Sequence, residues 1–564
     1  FCLARMFDTQ SFRVLPRLAV AALLGIGMAA LQLVATWALT KTSAISGSRP
    51  LSVLGNPGYN LDPSQIGIGV IGSTFAKFPA SAISNGESLA GVGLTCFALA
   101  VGALVLHERR FRLTTVALVL IGVSSTLFAV GPRWLPFRAA YHLIPGFGGA
   151  RVPGRWMLQT VICVAVLAGI GLDGVSKATR DLQRKLAAVM IVVVVAIVFA
   201  SAPTGVSQPS RYWWIIGGCA LALWVAFGDR RLSFLLAVIP LMFVATEFIA
   251  TGRNTPAKAN SHEASFADYQ SDFTRFLAEK PGRVLSLTFD AWSDERYMIT
   301  NLRPNANVLY NISSIDGYDG GMWIQDRWID TFSSLTKRKF NIDLTIRSQA
   351  RGPYSADLLR RVGVRYVLTD TSVVPASAQF TGLKGPVLKR GPIELWLNPL
   401  WAGDGLAYKS TRQVATSQSV RSAILEAARS GAPSAITEPG APSIDCQSRQ
   451  CDPIGVRTIF DADGSFSSTL HLDQPTVVAI NQGWSRDWKV YVDGRKVPTF
   501  PINGFFLGFK APSGAVSVTG KYSPGWAIPA LFVSLLSAVM ALALSISPSV
   551  MERRRKRSAY SVAT

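Results

Sequence analysis

The sequence predicts an α-helical multi-span membrane bundle that carries an external α/β unit and a C-terminal β-sandwich inserted before the last span. Three observations predict it. Seven apolar stretches come early and an eighth comes late in a chain of 564 residues. Each is close to the roughly 20 residues that a bilayer requires. The last stretch is capped by Glu552-Arg553-Arg554-Arg555-Lys556-Arg557, and lysines and arginines beside a span stay in the cytoplasm. Between the seventh and eighth stretches lies a long polar block of short alternating segments and turn pairs.

Composition agrees with a membrane protein. Hydrophobic residues make up 49% and charged residues 16% of the chain, and the mean hydropathy is +0.30. The formal charge of +22 sits largely in short connections and in the tail, where it sets topology and meets anionic lipid. Nucleic acid is not expected as a partner, because no basic stripe interleaved with aromatics occurs. The first residue is Phe1, and Phe1–Phe12 has no signal-peptide pattern. Either processing has removed something or the chain is the C-terminal portion of a longer one, and the second is the expectation.

The expected spans are Leu18–Leu39, Leu89–Leu106, Leu113–Val130, Met157–Leu172, Leu186–Ala200, Trp213–Phe227, Leu232–Phe248 and Trp526–Ile546. Counting inward from the tail, alternation puts four short connections in the cytoplasm. They carry Arg13 and Arg17, the run His107–Arg112, the segment Lys177–Lys185, and Asp229-Arg230-Arg231. All are basic, so five clusters with the tail agree on one orientation. Tyr212, Trp213, Trp214 and Trp526 then stand at outer ends as interfacial anchors. The expected organisation is a bundle over 1–254, an external α/β unit over 255–400, a connector over 401–454, an external β-sandwich over 455–524, and the last span with its basic tail over 525–564. The expected location is a membrane crossed several times, with residues 255–524 outside the cytoplasm.

Within the external block, Arg283–Thr288 reads as a strand. Ala356–Val362 reads as a helix stopped by Gly363, and Val364–Thr369 as the strand that follows. Arg390-Gly391 punctuates a hairpin into Ile393–Leu397. Leu400–Pro453 is rich in Ala, Ser, Gly and Pro, with one helix expected around Val420–Arg429. Further on, Trp488–Val492 alternates, Asp493-Gly494 turns, and Lys496–Phe500 returns, a strong hairpin signal. Asn503-Gly504 leads into Phe505–Phe509, and Pro512–Gly514 into Val516–Tyr522. Short strands at this spacing predict a sandwich.

Several of these residues form a recognisable set. Gly483-Trp484-Ser-Arg-Asp-Trp488 with Asp493-Gly494, then Asn503-Gly504-Phe505-Phe506, Gly508, Gly514 and Tyr522-Ser-Pro524, resembles the C-terminal sandwich of the YfhO-type bacterial membrane proteins. Tyr141–Phe147, Arg151-Val-Pro153-Gly-Arg155, Asp316-Gly317-Tyr318-Asp319 and Leu358–Leu368 are similar to other segments of that family, in the same order. The resemblance implies a GT-C-like glycosyltransferase fold. Such a protein takes a sugar from a polyprenyl-phosphate carrier on the outer face and passes it to a cell-envelope polymer. It also implies a catalytic carboxylate in a first external loop and more than eight spans. This chain departs from both, so its catalytic residues are unknown and a portion alone would be inactive.

The candidate site residues follow. The connection Pro132–Arg155 carries Arg133, Arg138, Arg151 and Arg155 with no acid, on the side where the positive-inside tendency disfavours them. Phe137, Ala140, Tyr141 and Ile144 fall on one helical face, with Arg138 and His142 off it, which predicts a short interfacial helix. Arg138, Arg151 and Arg155 could bind the phosphate of a lipid carrier, since guanidinium suits phosphate bidentately. The plainer alternative, more common for surface arginines, is that they pair with external acids or lipid headgroups. Glu247 is an acid near the end of the seventh span, and such acids are functional by default, although solvation or pairing with an arginine would also account for it. Asp62 and Glu87 are the acids of the loop Thr40–Ser88. Asp62 would be the transfer base by position if Phe1 were the true start, but Asp62-Pro63 is also an ordinary turn pair.

Cys446 and Cys451 enclose four residues and could form a local disulfide in an oxidising compartment. A metal pair is the weaker alternative, because His471 is the nearest histidine. Cys96, Cys163 and Cys219 fall inside apolar stretches and read as small hydrophobes. The four histidines are too scattered for a metal site. Trp484 and Trp488 could stack on sugars, but Trp488 alternates in phase with Val490 and Val492, as a core residue would. Three function classes remain: a lipid-linked glycosyltransferase or its C-terminal part, a non-catalytic scaffold that binds envelope polymer, and, least supported, a transporter, for which repeat symmetry is missing. No cofactor is implied by any motif.

Overall fold

The computed structural model describes residues 14–43, 51–55, 91–106, 111–144, 152–185, 270–288, 306–315, 324–336, 352–372, 380–416, 419–446, 450–461 and 463–562, with short pieces between. Arg151, Glu247, Glu87 and Asp316–Asp319 lie outside the described residues, as do nearly all of the expected spans at 186–200, 213–227 and 232–248. The chain packs as two units, residues 1–23 with 47–262 and residues 24–46 with 263–564. Among the described residues, three helices are long and apolar enough to cross a membrane, or four if one bent pair counts as a span.

That bent pair comprises α1 (Val14–Met28) and α2 (Ala30–Thr42), which meet at 62°. The span expected over Leu18–Leu39 is helical here but breaks at Ala29. Gly25 and Gly27 lower helix propensity just before the break. The first turn of α2 then finds a partner elsewhere: the Leu31 N–H donates to Ser534 Oγ at 3.0 Å. At the far end of α2, Lys41 Nζ lies 3.6 Å from the centre of the Trp37 ring, and Ser43 forms an antiparallel bridge with Gln325.

The first unit is built on α3 (Leu94–Leu106), α4 (Arg112–Ala129) and α6 (Met157–Lys177), with the short α5 (Leu135–Leu143) between the last two. The second expected span is thus a helix of 13 residues, shorter than the stretch Leu89–Leu106. Close approach follows from small residues. A Cβ on Gly174 of α6 would lie 2.6 Å from Leu106 Cβ of α3, and one on Gly122 of α4 would lie 3.3 Å from Cys163 Cβ. Leu99, Ala103, Leu118, Met157, Cys163 and Leu167 are buried between these helices. Leu120, Val123, Leu158 and Ile162 are exposed on the outer faces of these helices.

In the second unit, Ser271 caps α7 (Asp272–Glu279) by accepting from Thr274 N at 3.1 Å. Next come β1 (Val284–Leu287), α8 (Asp326–Phe332), β2 (Tyr354–Ser355) and α9 (Ala356–Arg361), then β3 (Tyr366–Asp370), β4 (Phe380–Thr381), β5 (Lys384–Arg390) and β6 (Ile393–Leu397). Ser355 caps α9, and Gly363 ends its last turn at φ +76°. One sheet has the order β1-β3-β6-β5, with β1 parallel to β3 and the β5–β6 hairpin turning at Gly391. The strands and helix expected over 283–397 are therefore present.

Residues 401–454 differ from expectation. They hold β7 (Gly405–Tyr408), β8 (Thr411–Gln413), α10 (Val420–Ser430), β9 (Ala435–Thr437) and the start of β10 (Ile454–Val456). These strands belong to a seven-stranded sheet of order β10-β7-β13-β17-β16-β9-β8. Small residues here serve close packing rather than freedom: a Cβ on Gly405 would strike the Ala479 carbonyl, and one on Gly455 the Ala402 carbonyl. The remaining strands are β11 (Ile459–Phe460), β12 (Phe466–Leu472), β13 (Thr476–Gly483), β14 (Trp488–Val492), β15 (Arg495–Val497), β16 (Thr499–Ile502), β17 (Phe506–Ala511) and β18 (Gly514–Tyr522). A second sheet takes the order β11-β12-β18-β14-β15. The chain ends in α11 (Ala527–Val562).

The seven-stranded sheet is covered on both faces, as its side-chain alternation allows. Val477 and Ala479 join Leu285, Val367, Ile424 and Phe506 in one apolar core. Their neighbours Val478 and Ile480 join Phe466, Val490, Val516 and Val518 of the five-stranded sheet in another. The α/β part and the β-rich part thus share a core across residue 400.

Candidate functional site

The loop between α4 and α6 is built from the inside outward. Gly131 takes φ +74° and lies so close to Asn60 that a Cβ would sit 2.8 Å from its Cγ. Pro136 and Pro153 stand in the first turns of α5 and of a 3-10 turn, Pro153–Trp156. Phe128 is the hub beneath. Its ring lies 5.0 Å from Trp134, 5.3 Å from Trp156 and 5.9 Å from Phe147, and Phe137 closes the cluster 5.2 Å from Phe147. α5 buries Phe137 and Ala140 against this cluster. The face expected to include Ile144 is shorter than predicted. Ile144 follows the helix in extended geometry (φ −102°, ψ 111°) and is exposed, as is Leu143.

Charges decorate the rim. Arg133 Nη1 lies 3.5 Å from Asp62 Oδ2, both about half exposed. That pair is worth at most about 1 kcal/mol. It gives Asp62, read from sequence as a possible base or a turn residue, a cation at its side. Arg138 donates from Nε to the Pro132 carbonyl at 2.5 Å, which ties it to the backbone of its own loop. Arg155 is exposed on the 3-10 turn that starts α6. The structure thus puts Arg133, Arg138 and Arg155 on one loop over one aromatic cluster.

Within a helical turn of both ends of this loop opens an apolar cavity of about 430 Å³. Phe97 and Val101 of α3, Leu118 and Val123 of α4, and Cys163 and Leu167 of α6 line it. Its polar side chains are already bonded: Thr126 Oγ1 and Thr160 Oγ1 are 3.1 Å apart, and Thr126 donates to the Gly122 carbonyl at 2.9 Å. Sequence reading missed this cavity. Its signal is the small and polar set Gly122, Thr126 and Thr160, which falls where two apolar helices face each other.

In the second unit the residues that carry the family resemblance converge. Trp484 N donates to the Phe505 carbonyl at 2.8 Å. A Cβ on Gly483 would lie 2.7 Å from the Phe505 ring, and one on Gly363 would lie 2.7 Å from Asn481 Nδ2. Arg327 holds Glu438 through both guanidinium arms, with Nη2 at 3.0 Å from Oε2, and lies 5.2 Å from the Trp484 ring centre. One face of Trp484 therefore meets a guanidinium. Trp488 is buried, and its Nε1 donates to the Gly483 carbonyl at 3.0 Å.

Beside them, Arg283 donates to the Asn481 carbonyl at 2.5 Å. Burial pulls its guanidinium down to about 10, opposed by Asp404. Burial likewise raises the Asp404 carboxyl, opposed by a Thr458 backbone hydrogen bond and by Arg283 and Arg365. This arrangement joins β1 to the seven-stranded sheet. Cys446 and Cys451 are disulfide-bonded with Cα atoms 5.8 Å apart. Among the described residues, no three His, Cys, Asp or Glu side chains are grouped to hold a metal.

No protein-family model matches the chain, and no curated protein matches it. Among solved structures it is similar to arabinofuranosyltransferase AftD from mycobacteria, in cryo-EM structures of the protein and of a mutant. Identity is 13% and 12%, and TM-scores are 0.28 and 0.24. The match covers 90% of this chain in both cases, but only 41% and 53% of those chains.

Proposed function

We propose that this chain works in cell-envelope glycosylation at a bacterial plasma membrane, where it seats a polyprenyl-phosphate sugar carrier on the outer face for transfer to an envelope polymer. The observation that carries the reading is the apolar cavity between α3, α4 and α6, whose lining residues Leu127 and Thr160 stand within a helical turn of the two ends of a loop bearing Arg133, Arg138 and Arg155. An isoprenoid chain fits the first and its phosphate the second. Arg151 belongs to the same loop and completes the set. Glu247, near the end of the seventh span, is proposed as a further polar group at the same surface. The YfhO-type resemblance and the basic clusters support the placement: residues 255–524 outside, the tail after Ile546 inside, eight spans in all, and the two sheets read as a sandwich. Reporter fusions at Ser271 and Ser558 should behave as external and cytoplasmic, and a cytoplasmic Ser271 fusion would end the reading.

A non-catalytic scaffold that binds envelope polymer is the second reading. The Arg133–Asp62 pair and the Arg138–Pro132 hydrogen bond favour it, because both tie the loop to the protein itself. Native mass spectrometry with a polyprenyl phosphate separates the two. Replacement of Arg151 and Arg155 by Ala should weaken carrier binding roughly tenfold while the melting temperature holds. Unchanged binding in the well-folded double variant leaves the scaffold. Equal loss of folding and binding makes the arginines structural clamps.

A further inference from the structure

The five-stranded sheet ends in an apolar and basic edge beside a span. β18 stops at Tyr522, and Ser523-Pro524-Gly525-Trp526 lead straight into α11. At most roughly 14 Å of extended chain separates Tyr522 from Trp526. Antiparallel register carries that end of β18 across the sheet. Gly520 faces Phe466, Phe466 faces Phe460, and Tyr522 faces Trp488. Four rings make a continuous row, Phe460 to Phe466 at 6.1 Å, Phe466 to Trp488 at 5.7 Å, and Trp488 to Tyr522 at 5.8 Å.

The inner rings are buried, but Phe460 is 43% exposed and Ile459 is 70% exposed. Arg457 and Lys521 are exposed beside them, and Lys489 Nζ donates to Ser523 Oγ at 3.0 Å. The carboxylates at the hairpin tip are engaged. Asp463 takes hydrogen bonds from Ser465 and lies 3.4 Å from Lys521, while Asp461 accepts from Ser465 Oγ at 2.9 Å. β11 is only two residues long, so it makes a poor template for an added strand.

We propose that this edge rests on the bilayer leaflet that α11 enters, with Ile459 and Phe460 at the boundary of headgroups and acyl chains and with Arg457 and Lys521 at the level of lipid phosphates. Apolar side chains flanked by cations, with aromatics at the water boundary, are what an interface selects. Continuity with the α11 entry names the lipid as occupant. The inference rests on α11 being a span and is independent of the glycosylation reading.

The test uses the full chain in phosphatidylcholine and phosphatidylglycerol vesicles, with Cys2, Cys96, Cys163 and Cys219 replaced by Ser. A nitrobenzoxadiazole label is placed at Phe460→Cys, at Ile459→Cys, and at Arg495→Cys near the opposite end of the sheet. Phosphatidylcholine with a doxyl group high on its chain should quench the first two labels and spare the third. Iodide should quench the first two roughly threefold less than the third. Iodide access at 459 and 460 equal to that at 495 overturns the proposal. So does protection from both quenchers, which would mean that protein covers the edge, and so does equal doxyl quenching at all three positions.

Discussion

The backbone N–H of Leu31 donates to the side chain of Ser534, and the donor opens the second half of a broken helix while the acceptor belongs to the last apolar helix. A helix start normally takes its capping oxygen from the residue just before it. Here the oxygen comes from 503 residues away. Ser537, one turn further along α11, fills the space that a Cβ on Gly27 would need.

Ser534→Ala should therefore loosen α2 with a cost of roughly 0.5–2 kcal/mol, the range for interhelical polar contacts in membranes. Hydrogen exchange in the peptide covering Ala30–Thr42 should quicken. Gly27→Leu should be worse, since it must push α11 away. Unchanged exchange in both variants would show that the bend stands without this contact.

Arg361 is buried, and it donates from Nε to Asp357 Oδ2 at 2.6 Å and from Nη1 to the Ser434 carbonyl at 3.0 Å, with Nη2 on the Ala432 carbonyl. Arg361→Ala leaves two carbonyls without their donor and leaves Asp357 to Arg360 alone, so the expected loss is about 2–3 kcal/mol. Denaturant unfolding followed by tryptophan fluorescence reads it. A loss below 1 kcal/mol, the scale of an exposed pair, would mean that water replaces the guanidinium.

The Cys446–Cys451 bridge closes a very short loop. The entropy it removes from the unfolded chain corresponds to about 2 kcal/mol. The double Ser variant should keep its fold and lose no more than that. Thiol labelling of denatured, unreduced protein should leave both positions unmodified, and full labelling refutes the bridge.

Asp404 supplies a pH test. Burial raises its folded carboxyl above the ordinary 3.8, so the folded state holds this proton more tightly than the unfolded chain does. Its contribution to stability then falls as pH climbs from 3.8 through the raised value. Asp404→Asn should remove that slope, and the gap between variant and parent should change as pH climbs from 3.8 through the raised value. A constant gap would show that Arg283 and Arg365 already offset the burial.

Local grammar was readable wherever neighbours in sequence decide the outcome. Trp488–Val492 alternates with the pleat, and Asp493, at φ 48°, takes the left-handed turn its Gly partner announces. Ser355 and Gly363 mark both ends of α9 for the same reason. Distance in sequence hid the rest. The Leu31 N–H beside the break finds its acceptor in Ser534, and the partner of Asp62 is Arg133 on a different loop. Residues 401–454 misled by composition, because glycine and alanine signal slack in one setting and tight strand packing in another. In the candidate site the arginines were visible as a cluster, but the nearby cavity was not, since it is shaped by the approach of three helices.

The bridge between Ser43 and Gln325 has a mechanical meaning. With α11 leaving from Tyr522 and α2 arriving at Ser43, the β-rich unit is moored at two points. A body hung on one flexible stalk can swivel and sweep a disc of membrane, whereas one held by two stalks keeps a single bearing.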